Sequence, residues 1–382
     1  MVRIASYNVE NLFTRPRAFH TADWSIGQPI LEAYSELNDL FQLAAYSPAD
    51  KTRMRDLMVV LDLYYINSQG AVRRKYTSSP RWAWFRKNRG VFDRQPSDNT
   101  LNIEIEAAGR DDWIGWVELA VEPTDDLSVR MTARVFQEVD ADIVAVVEAE
   151  NRPSLVRFNR ELLADMYEHV MLVDGNDDRG IDVGIMTRSG FEIESIRSNV
   201  DSRDAVGLVF SRDCPQYAVR TPSGLLVHVL INHFKSQSGG GDEKRRRQSL
   251  EVRRIVDGLV SQGQHVIVLG DLNEGPAVSD VPAPNLVPLY ENNSPLVDCY
   301  TQPAFQVGNR DGTFDSCGLR NRFDYIFFSR SLSPALNGGE VFRKGLWGSR
   351  KTRPTTWETY PEITRSSQQA SDRALLYIDL DI

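Results

Sequence analysis

The segment Asp142-Ile143-Val144-Ala145-Val146-Val147-Glu148 constrains this chain more than any other. Its apolar residues follow one another without alternation, so as a strand it must be covered on both faces. A second run of this kind, His265–Leu269, ends in Gly270-Asp271. Val2–Asn8 reads as a first strand. Leu127, Met131 and Val135 recur at helical spacing behind a candidate cap at Thr124, and a helix is expected over 153–168 with Pro153 in its first turn. Strands are expected at 169–173, 182–187, 191–197 and 216–220, and Pro222-Ser223-Gly224 turns the chain into another at 225–231. Val252, Ile255, Val256 and Leu259 mark an amphipathic helix over 242–261, and strand-like runs at 323–328 and 374–382 close the sequence. This order predicts an α/β fold of two packed sheets with helices outside them.

Residues 14–124 do not keep that rhythm. The expected organisation is one core domain over 1–382 with an inserted subdomain at 14–124, helical at 31–43 and 53–65. Arg73–Arg94 is basic and aromatic together. Trp82, Trp84 and Phe85 in it either stack bases of a single strand or pack the insertion's own core. The net charge of −9, from 44 basic and 53 acidic residues, argues against a general basic coat for nucleic acid but leaves room for a local patch.

Cys214, Cys299 and Cys317 show neither paired nor CxxC spacing and read as free thiols of a reducing compartment, with one disulfide and a spare thiol as the other reading. No apolar stretch reaches the ~20 residues that span a bilayer, and no charged leader precedes Val2. The expected location is the cytoplasm. Nothing in these patterns fixes the number of subunits.

Polar residues stand at the ends of the expected strands. Asn8 and Glu10, two residues apart, can approach one cation; otherwise they form a polar turn. Glu148 ends the most apolar strand and needs a partner there, either a cation or a salt bridge. Asn232-His233-Phe234-Lys235 places an imidazole and an ammonium together, so that His233 can bond a phosphoryl oxygen. Gly270-Asp271-Leu272-Asn273 sends Asp271 and Asn273 to one side, one to orient water and the other to hold a transition-state oxygen. Asp324 is placed to polarise His233 or another group, and Asp372 in Ser371-Asp372-Arg373 to hold metal or orient water. Oxygen-rich clusters of this type suit a hard divalent cation.

The succession strand–Asn8, strand–Glu148, strand–Asn232-His233, strand–Gly270-Asp271-Leu272-Asn273, Asp324-Tyr325-Ile326 and Ser371-Asp372 resembles the endonuclease/exonuclease/phosphatase superfamily of DNase-I-like folds. Asp178-Arg179-Gly180-Ile181-Asp182-Val183 and Glu148-Ala149-Glu150-Asn151 look most like its bacterial nuclease-like members. The resemblance covers 1–13 and 127–382. It implies a four-layer α/β sandwich, a Mg²⁺ or Mn²⁺ cofactor, and hydrolysis of phosphodiesters or phosphomonoesters. It also implies Asn8, Glu10, Glu148 and Asp372 on the metal side, and His233, Asp271, Asn273, Asp324 and Asp372 as catalytic groups. Asn232, Lys235, Arg179 and Arg373 would contact substrate.

One position departs from the pattern. The family reads Ser-Asp-His where this chain reads Ser371-Asp372-Arg373. A guanidinium has no acceptor and stays protonated, so Arg373 can clamp a phosphate but cannot serve as base. The expectation is a metal-dependent phosphodiesterase, an endo- or exonuclease acting on nucleic acid. A phosphatase of a small or lipid-linked ester and a catalytically impaired nucleic-acid-binding homologue are the alternatives.

Overall fold

The computed structural model describes residues 1–18, 24–177, 180–237, 241–291, 293–348 and 356–382. It divides into two compact units, Met1–Phe13 with Thr124–Ile382, and Thr14–Pro123.

In the larger unit the principal strands are β1 (Val2–Asn8), β2 (Ile143–Ala149), β3 (His169–Val173), β4 (Asp182–Thr187), β5 (Glu192–Arg197), β6 (Gln216–Arg220), β7 (Leu226–His233), β8 (His265–Asp271), β9 (Leu296–Asp298), β10 (Asp324–Ser329), β11 (Leu336–Phe342) and β12 (Leu375–Leu380). The helices are α1 (Asp126–Val139), α2 (Arg152–Leu162) and α3 (Asp242–Ser261). Two six-stranded sheets result, in the orders β3-β4-β2-β1-β12-β11 and β5-β6-β7-β8-β10-β9. Each has one parallel pair at its centre, β1 with β2 and β7 with β8, and its other neighbours are antiparallel.

The central apolar runs account for the layers. Ile143, Ala145 and Val147 of β2 pack with Val229 and Ile231 of β7 and Ile267 and Leu269 of β8 between the sheets. The opposite face of β2, Val144 and Val146, packs on Val135 and Phe136 of α1 and on Leu155 and Phe158 of α2. Val266 and Val268 of β8 meet Val252 and Val256 of α3 on the far side. Helix, sheet, sheet and helix are therefore stacked, as a strand apolar on both faces requires. Each fully buried aliphatic side chain contributes about 1.5–3 kcal/mol.

The topology collects one edge of each sheet. Parallel strands β1, β2, β7 and β8 bring their carboxyl ends to one edge of their own sheet, where open α/β sheets place their ligands. An antiparallel neighbour begins where its partner ends, so β10 starts beside the end of β8 and β12 beside the end of β1.

Several ends differ from the periodicity. Asp125, not Thr124, caps α1 by accepting from the Leu127 amide at 2.9 Å. The helix expected to 168 stops at Leu162, and Ala164 and Asp165 follow with φ of 52° and 55°. Edge strand β11 escapes the pattern because Gly338-Gly339 interrupts it at a register shift. All three cysteines are buried free thiols. Among the described residues no helix is long and apolar enough to cross a membrane.

The smaller unit is as much ribbon as helix. Helices Trp24–Phe41 and Pro48–Val60 accompany two-stranded ribbons, including Ala83–Gly90 with Trp113–Leu119. Ser47 and Asp50 form a capping box at the second helix. That helix ends before residue 65 because Asp62 turns the chain at φ 60° and Tyr64 enters a strand.

Candidate active site

Asn8 lies at the last position of β1 with no exposed surface, and its side-chain amide donates to Asp271 Oδ2 at 3.1 Å. Its Oδ1 accepts the Glu10 amide at 3.0 Å, and its carbonyl accepts the Ser371 hydroxyl at 2.6 Å. Ser371 Oγ also accepts from the Arg373 amide at 3.1 Å, so one hydroxyl ties the end of β1 to the turn entering β12. Glu148 sits at φ 63°, where the β2–β4 register shifts between Val147 and Ala149. A left-handed glutamate costs roughly 1–2 kcal/mol, and such bulges re-aim side chains at functional edges. Its Oε1 lies 3.3 Å from His233 Nε2 at the end of β7.

Gly270 explains how β8 can end beside β7. A Cβ there would stand 1.9 Å from the Asn232 carbonyl oxygen, and its φ is 129°. Glycine alone fits, and the register His233↔Asp271↔Asp324 follows across three strands. Asp271 Oδ1 accepts the Asn273 amide at 2.8 Å, while Oδ2 accepts from Asn8 and from Arg373 Nε at 3.1 Å each.

Arg373 is enclosed by acids. Besides Asp271, Asp372 Oδ2 lies 2.9 Å from its Nη1 and Asp324 Oδ2 3.9 Å from its Nε. The guanidinium lies over the Phe314 ring, 4.1 Å from its centroid, and Phe314 stacks on Phe323. Burial disfavours its charge, but Asp372, Asp271 and Asp324 outweigh burial and raise its pKa. Asp324 is held by the Thr313 hydroxyl at 2.5 Å. Its pKa is raised, first by burial and then by the Asp271 charge, against the pull of Arg373. Asp372 is raised as well, by desolvation and by Glu10, Glu148 and Asp271.

The model of the Endonuclease/Exonuclease/phosphatase family matches residues 90–332. The chain belongs to that family. Family members are phosphoester hydrolases and generally use divalent metals. Among solved structures, an endonuclease/exonuclease/phosphatase from Bacteroides vulgatus aligns at 19% identity and a TM-score of 0.47, covering 66% of this chain and 90% of that one. The mannosyl-6-phosphatase of Bacteroides thetaiotaomicron aligns at 18% identity and 0.49, covering 67% and 92%. Truncated TDP2 of Caenorhabditis elegans aligns at 17% and 0.45, covering 66% and 90%. No curated protein matches the chain.

The residues present fit a divalent cation. Ligand atoms of Glu148, His233 and Asp271 lie within 4.8 Å of one another. Carboxylates of Glu10, Glu148 and Asp271 crowd Asp372 enough to raise its pKa, a repulsion that a cation relieves. The expected metal side was Asn8, Glu10, Glu148 and Asp372. The close set instead joins Glu148 to His233 and Asp271, with Asn8 bonded to Asp271 and Glu10 accepting the Asp372 amide at 2.9 Å.

Other expected residues fall as follows. The partners of Asp324 are Thr313 and Arg373, whereas His233 faces Glu148. Asn273, at φ 54°, donates its side-chain amide to the Phe234 carbonyl at 3.0 Å and so holds the turn after β8. Asn232 is buried and donates to the Leu230 carbonyl at 3.2 Å, and its Oδ1 has no partner among the described residues. The Lys235 amide donates to Gln248 at 3.0 Å. Arg179 lies outside the described residues. Thr313, Phe314 and Phe323 were not singled out in the sequence, because a loop Thr-Phe pair carries no periodic or charge signal. Glu150, noted only within a motif, accepts the Leu12 and Phe13 amides at 3.1 and 2.7 Å and fixes the loop after β1.

Proposed function

We propose that the chain is a divalent-metal-dependent phosphodiesterase that hydrolyses nucleic-acid phosphodiester bonds. The approach of Glu148, His233 and Asp271 to within 4.8 Å, at the carboxyl ends of the central strands, carries this reading. These three residues, with Asn8 beside Asp271, would hold the Mg²⁺ or Mn²⁺ ion. When bound, such an ion polarises a phosphoryl oxygen and makes water a stronger nucleophile.

The protein groups divide the remaining work. Asp271 orients the attacking water, and Asn8 and the Asn273 amide fix its carboxylate. His233 directs Nε2 to a non-bridging phosphoryl oxygen, with Glu148 setting the ring's orientation. Asn273 acts through the turn it holds, since its side-chain amide is committed to Phe234. Arg373 neutralises part of the acid cluster and accepts no proton. A second reading, a nucleic-acid-binding homologue without turnover, is favoured by that residue standing where the family pattern has an imidazole.

The deciding experiment incubates single- and double-stranded DNA, RNA, and inositol and sugar phosphates with the protein in Mg²⁺, Mn²⁺ or chelator. Metal-dependent cleavage of nucleic acid is the expected result. Hydrolysis confined to the small esters would transfer the chain to the phosphatases, and nucleic-acid binding without turnover at any metal concentration would establish the second reading.

A further inference from the structure

We propose that the outward face of the ribbon Ala83–Gly90/Trp113–Leu119 is a binding surface for single-stranded nucleic acid. Residues 73–94 carry eight basic side chains and one acidic in a chain of net charge −9. Half of the eight are used inside the unit. Arg73 donates to the carbonyls of Pro96, Asp98 and Leu101, Arg74 pairs with Asp93, Lys75 with Asp62, and Arg94 with Glu104. Arg81, Lys87 and Arg89 have no carboxylate partner among the described residues, and Arg86 shares one with solvent, Glu118 at 2.8 Å.

Strand register separates the aromatic rings into two populations. Phe85↔Val117 and Gly90↔Trp113 face inward, where Phe85 and Trp113 pack with Phe41 and Phe92 at centroid distances of 4.3–6.2 Å. Trp84↔Glu118, Arg86↔Trp116 and Arg89↔Ile114 face the other way, the bulge at Asn88 keeping Arg89 on this side. Trp116 is 42% and Ile114 40% exposed, and the Arg86 guanidinium lies over the Trp84 ring at 4.8 Å. The unit's core is thus built without Trp84 and Trp116.

Exposed aromatic faces interleaved with arginines match an unpaired strand. Its bases stack on the rings while its phosphates meet the cations. A duplex hides its base faces, and an acidic peptide has no use for the rings. The surface lies wholly in the inserted unit and stands apart from the catalytic reading.

The test measures binding of a fluorescein-labelled 15-mer of deoxythymidine to the full chain in EDTA, over a range of NaCl. Chelator removes metal-dependent turnover, and hydrolysis of bis(4-nitrophenyl) phosphate by the unaltered chain separately tests the catalytic reading. Removing both rings in Trp84→Ala/Trp116→Ala should weaken binding by roughly tenfold or more. Arg86→Ala/Arg89→Ala should flatten the dependence of log K on log salt by about one unit. Glu118→Gln, which keeps both rings, should tighten binding. Unchanged affinity in the tryptophan variant would overturn the surface. So would unchanged or weaker binding by Glu118→Gln, or competition by duplex or polyglutamate as effective as that of unlabelled single strand.

Discussion

The strand-end cluster of the larger unit and the ribbon of the inserted unit use the same pairing, arginine over an aromatic ring, in opposite surroundings. Arg373 lies 4.1 Å from the Phe314 centroid and is 8% exposed, whereas Arg86 lies 4.8 Å from that of Trp84 on a solvent-facing side. Such a contact is worth about 0.5–1 kcal/mol when exposed and about 2 or more when desolvated. Burial also changes what the arginine does. Arg373 is committed to Asp271, Asp324 and Asp372, while one carboxylate touches Arg86 and none touches Arg89 among the described residues. A buried cation organises its own acids; an exposed one remains available to a ligand's.

The contrast can be broken most severely at Asp271. Asp271→Asn should lower metal-dependent hydrolysis by about 10²–10⁴-fold and destabilise the chain, because Arg373 loses a buried partner. Unchanged turnover in steady-state kinetics would remove Asp271 from the chemistry. Next comes the ribbon's inward ring: Trp113→Ala should cost about 3–5 kcal/mol in urea unfolding, and a much smaller loss would mean that the unit's core lies elsewhere.

Arg373→His tests whether a missing imidazole limits the rate. A gain of about tenfold or more in kcat/KM is expected, part of what a positioned base supplies; a fall would give the guanidinium its own task. Asp324→Asn should alter the pH dependence of stability. The folded pKa of Asp324 lies above the ~3.9 of a free aspartate, so its contribution is full below about pH 4 and is lost as pH rises through the folded value. In chelator, the native chain should therefore lose stability relative to Asp324→Asn as pH climbs from about 4, and a constant difference would contradict the shift. The smallest effect belongs to the outward ring, where Trp116→Ala should change stability by no more than about 0.5 kcal/mol.

Legibility in the sequence followed the range of the forces involved. Apolar runs and amphipathic spacing announce themselves locally, so β2, β8, α1 and α3 were readable, and so were the polar residues that end the central strands. Asp324 was read as a partner for His233, yet it faces Thr313 and Arg373, because cross-strand register rather than residue type chooses the neighbour. Asn273 was read as an oxyanion holder, but a positive φ turns its amide to a carbonyl. The ribbon's aromatic residues carried both readings at once. Only pairing with Trp113–Leu119 assigned Phe85 to the core and Trp84 to the outside.

What the sequence determined alone was therefore a kind of protein: layered sheets, acids and amides at strand ends, and an arginine in an imidazole's place. Its residue chemistry and short-range periodicity suffice for that. Tertiary structure decided which of these groups meet. Asn8 reaches Asp271 across 263 positions and Ser371 reaches Asn8 across 363, and no local pattern encodes such distances. They are set when parallel strands end together and antiparallel ones begin beside them, a consequence of burying both faces of the central runs.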